Sequence, residues 1–523
     1  MKQEGNKSDL QSLIEQRITF DSMTEGQKTK YLAKLIDCSI DQANKKGIEL
    51  GIALAEAAIN SVQDLVTIAL LHYYAANAYA WLSRAKMLTN KIKYDDWTQG
   101  EKENEILHLR KAILGNGFGL LPIQYRCSIL TNLANSLSTI GRSIEGLKLL
   151  RRTVSLLPEY GMSVGNVGSH LLLLSNYMPT DAYRTLYLNA ALPLLEQALT
   201  TGKGLTRYAR EDFDRKRDFI LNVLGSNRID LASLDLGKPN RRKTKREADY
   251  RYWVSKETLF LCPINDIFPL QNGGHDCLHL PDIIHPIHEG PHLHGIANQL
   301  IQEYVSIRYQ VYEGIHERNV HFSDRKVNLI NTLDYSSYSL ALERLRGAFR
   351  VMYSLFDKIA FFLNLYFNLG MKEHDVDFGK IWFKYKNTLR EEFVQRIDNK
   401  PLQGLFWLSK DLFGRDNRYL EPEADEIKKI RNYVEHKYLK ILEYGEPDIQ
   451  IENDSDFTNP FEDKIAFKIS RDRFVEKTKY LLSLARSALI YLILAVEYEE
   501  RGKRDDYNIV SIPMSGYDEN WKR

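Results

Sequence analysis

The sequence predicts an all-α protein, and three observations carry that prediction. Residues 1 to about 232 read as helix after helix, with proline scarce and leucine, alanine and long polar residues dominant. Strong helical periodicity returns from Ile296 and continues to about Glu500. Between the two blocks, Pro263, Pro269, Pro281 and Pro286 interrupt any long element. The expected order is a helical repeat domain at 1–235, a basic linker and irregular insertion at 236–295, a helical bundle at 296–505 and a tail at 506–523.

Composition narrows the class. An apolar share of 44% supports packed cores, and 523 residues are too many for one core alone. Charged residues nearly cancel to a net +2, which neither demands nor excludes a nucleic-acid partner. Cys38, Cys127, Cys262 and Cys277 are too scattered for a disulfide scaffold, and the polar start Met-Lys-Gln-Glu-Gly is no secretory leader, so a cytoplasmic protein is expected. The apolar run Tyr480 to Val496 is slightly short for a membrane span, contains Arg486 and continues a charged helical stretch, so it is read as a buried bundle helix, with no membrane partner. The chain has no Walker-type loop and no Gly-x-Gly-x-x-Gly, and no cofactor is expected.

In the N-terminal block the clearest unit runs from Thr131 to Pro158, with Asn132, Leu133 and Leu137, a turn at Ile140-Gly141-Arg142, then Leu147, Leu150 and Thr153. It resembles a tetratricopeptide repeat, in which two antiparallel helices share an apolar stripe and small residues stand where they approach; Ala134, Gly146 and Thr153 occupy those places. A second unit is expected from Val164 through Leu171, then Asp181 to Leu199 after a Met178-Pro179-Thr180 break, with Pro193 as a candidate kink. An earlier first helix is expected at Leu71 to Ser83. Such repeats bury their faces by stacking, and the resemblance implies a surface that holds a peptide or protein.

The basic run Arg241, Arg242, Lys243, Lys245 and Arg246 is suited to phosphate contact, although a solvated linker is the plainer expectation. Beyond it stand Cys262, His275, Asp276, Cys277, His279, His285, His288, His292 and His294. Their spacing lacks the pairing of zinc sites, so imidazoles bonded to backbone are expected and no metal.

In the C-terminal block, helices are expected at Ser337 to Tyr366, stopped by Gly370, then at Lys380 to Arg396, Leu402 to Leu412, Pro422 to Leu442 and Arg471 to Glu500, with Gly445 to Asn459 as the mobile loop. In the fourth, Ile427, Ile430, Val434, Tyr438 and Ile441 should face the core. Arg431 and His436 then differ by about 140° around the helix, whereas Asn432 and His436 share a face.

The stretch Arg431-Asn432-Tyr433-Val434-Glu435-His436 resembles the signature of HEPN-superfamily ribonucleases: an arginine, usually a polar residue, and a histidine after four to six intervening residues. Tyr353 to Asn364 resembles the first long helix of the tetratricopeptide-linked bacterial family with a C-terminal HEPN domain, and Tyr250 to Asp266 its lead-in. The likeness covers roughly residues 250 to 500. It implies a metal-independent endoribonuclease, a toxin-like effector of bacterial defence or dormancy, acting on messenger or transfer RNA as a homodimer joined through the HEPN domain. His436 would exchange the proton, Arg431 stabilise the phosphoryl oxygens and Asn432 orient either, with Glu435 and Lys437 as auxiliaries. The competing expectation is a non-catalytic scaffold in which Arg431 pairs with Glu435 four residues on.

Overall fold

The structure is a computed structural model that describes residues 10–89, 97–229, 231, 244–267, 274–286, 289–333, 335–385, 388–414, 419–443, 465–504 and 516–522. Its N-terminal half is a succession of helices, each packed on the next: α1 (Glu25–Asp41), α2 (Lys45–Ile59), α3 (Leu65–Leu88), α4 (Gly100–Ile113), α5 (Ile123–Thr139), α6 (Ser143–Leu156), α7 (Gly161–Ser175), α8 (Asp181–Thr201) and α9 (Arg207–Leu224). Several starts are written in the chain as side-chain caps. Thr24, Asn44, Asp64, Thr180 and Thr206 each accept from a backbone N–H of the first turn.

The pair α5/α6 is a helical hairpin at the place expected, Thr131 to Pro158, and the need for small residues there is visible. A side-chain carbon on Gly146 would stand 2.8 Å from the carbonyl of Ala134. Pairs α7/α8 and α3/α4 repeat the hairpin, and α8 continues as a helix through Pro193.

The basic segment is only partly a linker. Arg241, Arg242 and Lys243 lie outside the described residues, whereas Lys245 and Arg246 begin α10 (Lys245–Lys256), capped by Thr244. Tyr250 and Trp253, one turn apart, pack on Tyr312 with ring centroids 5.2 and 5.5 Å away, and this tertiary contact makes a helix of a polar stretch. Irregular backbone does follow, with one tight turn at Pro263–Asp266. His279, His285 and His292 each bond a backbone carbonyl, while His288 lies outside the described residues. Among the described residues no group of three or more ligating side chains is placed to hold a metal ion.

The C-terminal bundle comprises α11 (His292–His316), α12 (Leu340–Tyr366), α13 (Lys400–Leu412), α14 (Ala424–His436) and α15 (Arg471–Lys503). Two expectations fail here. Lys380 to Arg396 is not a helix: Phe383–Tyr385 (β1) and Thr388–Leu389 (β2) form a small antiparallel ribbon, followed by one helical turn at Glu391–Val394. Trp382 and Phe393 are fully buried with centroids 4.9 Å apart, and Trp382 also packs against tilted Trp97 and edge-on Phe406, so aromatic packing overrides the local helical pattern.

The helix expected from Pro422 to Leu442 is also shorter. It starts at Ala424 and stops at His436; Lys437 is extended, and Leu439–Leu442 (β3) pairs in parallel with Phe467–Ser470 (β4). Ile441 therefore reaches the core from a strand and Tyr438 is exposed. The expected mobile loop at Gly445 to Asn459 and the glycine stop at its head lie outside the described residues.

One apolar core runs from Ala69 to Val496 and joins the two halves; smaller clusters sit among α1 to α3. The apolar stretch of α15 is 89% buried within it, so its hydrophobicity is satisfied inside the protein. The turn at Gly141, φ +84°, meets α13 so closely that a side-chain carbon would lie 2.0 Å from the Lys400 carbonyl. Beside it, buried Asp411 receives Arg110 and Arg142 at 2.7 and 2.6 Å.

The segment before the bundle clasps both halves. Arg486 of α15 bonds Asp266 through both terminal nitrogens, at 3.0 and 2.8 Å, and Arg308 of α11 bonds Asp276 likewise, at 2.7 Å twice. Tyr187 of α8 donates to the Pro263 carbonyl at 2.8 Å.

Candidate functional site

The short α14 is pinned by ion pairs at its start and exposed at its end. Glu426 receives Arg473 of α15 at 2.8 Å and Lys477 at 3.5 Å, and Glu423, just before the helix, receives both cations as well. Acid at the first turn also suits the helix dipole. Ala424, Ile427 and Ile430 are buried, and Val434 and Tyr433 pack half-buried against the same core. That stripe fixes the rotation of the helix and so decides where the other side chains go.

His436 is the last helical residue and is exposed, as are Glu435 and Lys437. Asn432, one turn earlier on the same face, is half-buried. Their shared face is therefore as the spacing of four predicts. Lys437 lies over the Tyr433 ring, 5.1 Å from its centroid.

Arg431 takes a different direction. Its guanidinium stands over the ring of Tyr353 on α12 at 5.7 Å, and its Nε is buried with no hydrogen-bond partner. No ion pair joins Arg431 to Glu435 among the described residues, so the pairing expected of a purely structural helix is not formed. Tyr353 is itself buried and its hydroxyl also lacks a partner. Burial pushes that hydroxyl's pKa up, and Arg431 opposes the shift.

One turn along α12 stands Asp357, whose carboxylate accepts the Phe378 N–H at 3.1 Å. Burial raises its pKa, while the same backbone bond and the nearby Arg431 pull it down. Tyr353 and Asp357 are neighbours of Arg431 that the sequence reading did not assign to the site. Their spacing of four on one helix was a visible signal; which face of α12 meets α14 was not.

Beyond His436 the chain turns into β3, and α12 grips it there: Arg346 donates to the Leu439 carbonyl at 3.0 Å. Arg350 follows Arg346 one turn along α12 and is exposed. The Tyr338 and Tyr438 hydroxyls meet at 3.2 Å, and Ser337 N–H bonds the Ile441 carbonyl at 2.9 Å, adding the chain before α12 to the edge of the sheet.

The basic run contributes less than its charge suggests. Arg246 is paired with Glu313 of α11, which also receives Arg344 at 3.2 Å, and only Lys245 of the two described residues is without an ion pair. The arrangement at α14 thus offers an exposed imidazole and a half-buried amide toward the end of the helix, and on another side of the same helix a guanidinium that lies over the Tyr353 ring. Such a set can bind an oxyanion and move a proton.

Residues 284–499 match the family model described as LA2681-like HEPN. The match begins just before α11, ends within α15 and contains α14 whole, so it supports a C-terminal HEPN domain. No curated protein matches the chain. No solved structure matches it either.

Proposed function

We propose that the chain is an endoribonuclease whose active site is built on the C-terminal end of α14. The observation that carries the reading is the state of its polar residues: His436 is exposed at the helix end, with Asn432 on the same face. Arg431, rather than pairing with Glu435, stacks on Tyr353 with an unsatisfied buried Nε. Buried polar atoms without partners are uncommon, and a negatively charged group brought to this end of the helix gives the guanidinium a partner.

The substrate's 2′-hydroxyl attacks the adjacent phosphorus, the P–O5′ bond breaks, and the products are a 2′,3′-cyclic phosphate and a 5′-hydroxyl. His436 accepts the proton of the attacking hydroxyl or supplies one to the leaving oxygen. Arg431 balances charge growing on the non-bridging oxygens, and Asn432 orients the imidazole or the phosphate. A second copy of the domain, joined in a homodimer, supplies the complementary acid or base. Lys437 and Glu435 flank the site as auxiliaries, and Lys245, with Arg241, Arg242 and Lys243, provides phosphate contacts outside it. Messenger or transfer RNA, cut in exposed loops where the backbone rotates into line, is the substrate class. The N-terminal array holds a protein or peptide partner, and the setting is a cytoplasmic, toxin-like response in bacterial defence or dormancy.

The test is cleavage of a mixed RNA pool in EDTA by the wild type and by His436→Ala, with product ends mapped. Cyclic phosphate ends from the wild type, and a rate at least about 100-fold lower from the variant, are expected. Equal cleavage by both proteins removes His436 from the chemistry.

A further inference from the structure

Cys262 and Cys277 meet in the segment that clasps the array to the bundle. The chain leaves Cys262 and returns so that the Cys277 and Leu278 N–H groups both reach the Leu261 carbonyl, at 3.0 and 2.9 Å. There the Cys262 thiol donates a hydrogen bond to the Cys277 sulfur. A second donor, the Tyr183 hydroxyl of α8, reaches the same sulfur at 3.3 Å. Cys262 is 3% exposed, whereas Cys277 is only half-buried. The Cys277 pKa is drawn down to about 6, first by the bond from Cys262 and then by Tyr183 and His275, against burial and the neighbouring Asp276. That same bond and burial hold the proton on Cys262. An accessible thiolate beside a second thiol is the arrangement that reversible thiol oxidation uses. Cys127 offers a contrast, since it is buried and burial pushes its thiol up.

We propose that Cys262 and Cys277 are a modification site, at which a hydroperoxide converts the two thiols to a reversible disulfide that locks the clasp. With hydrogen peroxide, the Cys277 thiolate attacks one oxygen, an S–O bond forms and the O–O bond breaks. The departing hydroxide becomes water with the proton that Cys277 gave up on ionising. Cys262 sulfur then attacks the Cys277 sulfur; the S–S bond forms, the S–O bond breaks, and the hydroxide leaves with the Cys262 proton as a second water. The thiols lose two electrons together and the peroxide gains them. The sulfurs close only from hydrogen-bond contact to the ~2.05 Å of a disulfide.

The effect follows from what the bridged segment carries. Asp266, between the two cysteines, bonds Arg486 of α15, and Asp276, beside Cys277, bonds Arg308 of α11. The carbonyl of Pro263, next to Cys262, receives Tyr187 of α8. A bridge ties these contacts to one closed loop and removes freedom chiefly from the unfolded chain. Both cysteines precede residue 284, where the family match begins, and the inference uses no step of the proposed cleavage.

The experiment treats the reduced full chain with hydrogen peroxide, alkylates the remaining thiols in denaturant and maps the peptides by mass without reduction. A Cys262–Cys277 cross-linked peptide is expected as the main product, with Cys38 and Cys127 alkylated, and dithiothreitol should abolish it. Cys262→Ser should leave a sulfenic acid at Cys277 that dimedone traps, and Cys277→Ser should leave Cys262 unoxidised. The bridged wild type should unfold at a higher temperature than the reduced protein. Recovery of Cys262 and Cys277 in separate peptides overturns the site, as does oxidation of Cys38 in their place. A bridge that leaves the thermal midpoint unchanged overturns the lock. The wild-type map decides the site even where a variant fails to fold.

Discussion

At Arg431 a single side chain bears on whether α14 is the proposed catalytic helix or a merely structural one. An arginine whose role is to steady a helix finds a carboxylate four residues away, and Glu435 is available at that spacing. Instead the guanidinium lies over Tyr353, and two buried polar atoms, Arg431 Nε and Tyr353 Oη, are left without partners. Replacing Tyr353 with Phe removes a hydroxyl that makes no bond in the free protein, so stability should change by less than about 1 kcal/mol, read as a small shift in thermal midpoint. RNA cleavage should fall all the same if the hydroxyl meets the phosphate beside Arg431. A large loss of stability would show that the hydroxyl already has a partner. Arg431, Asn432 and His436 were named in the sequence from their resemblance to the HEPN signature, and helical geometry placed Asn432 and His436 on one face. The place of Tyr353 beside Arg431 was not legible, because the face that α12 turns to α14 is decided by packing among several elements.

At the scale of elements, misreadings occurred where tertiary contacts outweigh local pattern. Tyr438 and Ile441 continue the helical spacing of Ile427, Ile430 and Val434, yet Leu439–Leu442 gains a ladder with Phe467–Ser470 and leaves the helix. The pairing partner lies beyond a stretch with no helical or strand signal, so nothing near the motif announces it. The repeat turn at Ile140-Gly141-Arg142 was recognised correctly as a turn, but its docking on α13 was not readable. There Asp411 is buried between Arg110 and Arg142, and the two guanidinium groups outweigh burial to hold its carboxyl below the ordinary value of 3.8. The folded state thus binds that proton less readily than the unfolded chain. The stabilisation is fully present above the ordinary value and is lost as pH falls through the lowered one. Asp411→Asn keeps the shape and removes the charge, leaving two buried guanidinium groups with a neutral amide. The expected cost is about 3–5 kcal/mol, measured by denaturant unfolding near neutral pH. A cost below about 1 kcal/mol would mean that water or Glu421, 3.7 Å from Arg110, already compensates the cations.

For the whole molecule, the family match and the physical unit do not have the same edges. The match begins at 284, whereas the clasp that neutralises the buried arginines of the bundle comes earlier, with Asp266 on Arg486 and Asp276 on Arg308. Glu145, in the N-terminal array, receives the Tyr491 hydroxyl, and the core passes from one half into the other without a seam. The two helical blocks and the irregular stretch between them were legible because periodicity is local. Their fusion was not, because apolar faces in a sequence do not say which other faces cover them. A fragment limited to residues 284–499 would carry Arg308 and Arg486 without their carboxylates and expose the faces of α13 and α15 that the array covers. Unpaired buried charge and uncovered apolar surface both act against a packed state. The fragment should therefore bind a hydrophobic dye and unfold without a sharp transition, whereas the full chain should unfold cooperatively. Co-expression with residues 10–283 should restore the sharp transition by returning Asp266, Asp276 and Glu145 to their partners. A fragment that is soluble, dye-free and cooperative by itself would show that the clasp is dispensable and that the HEPN region folds as an independent domain.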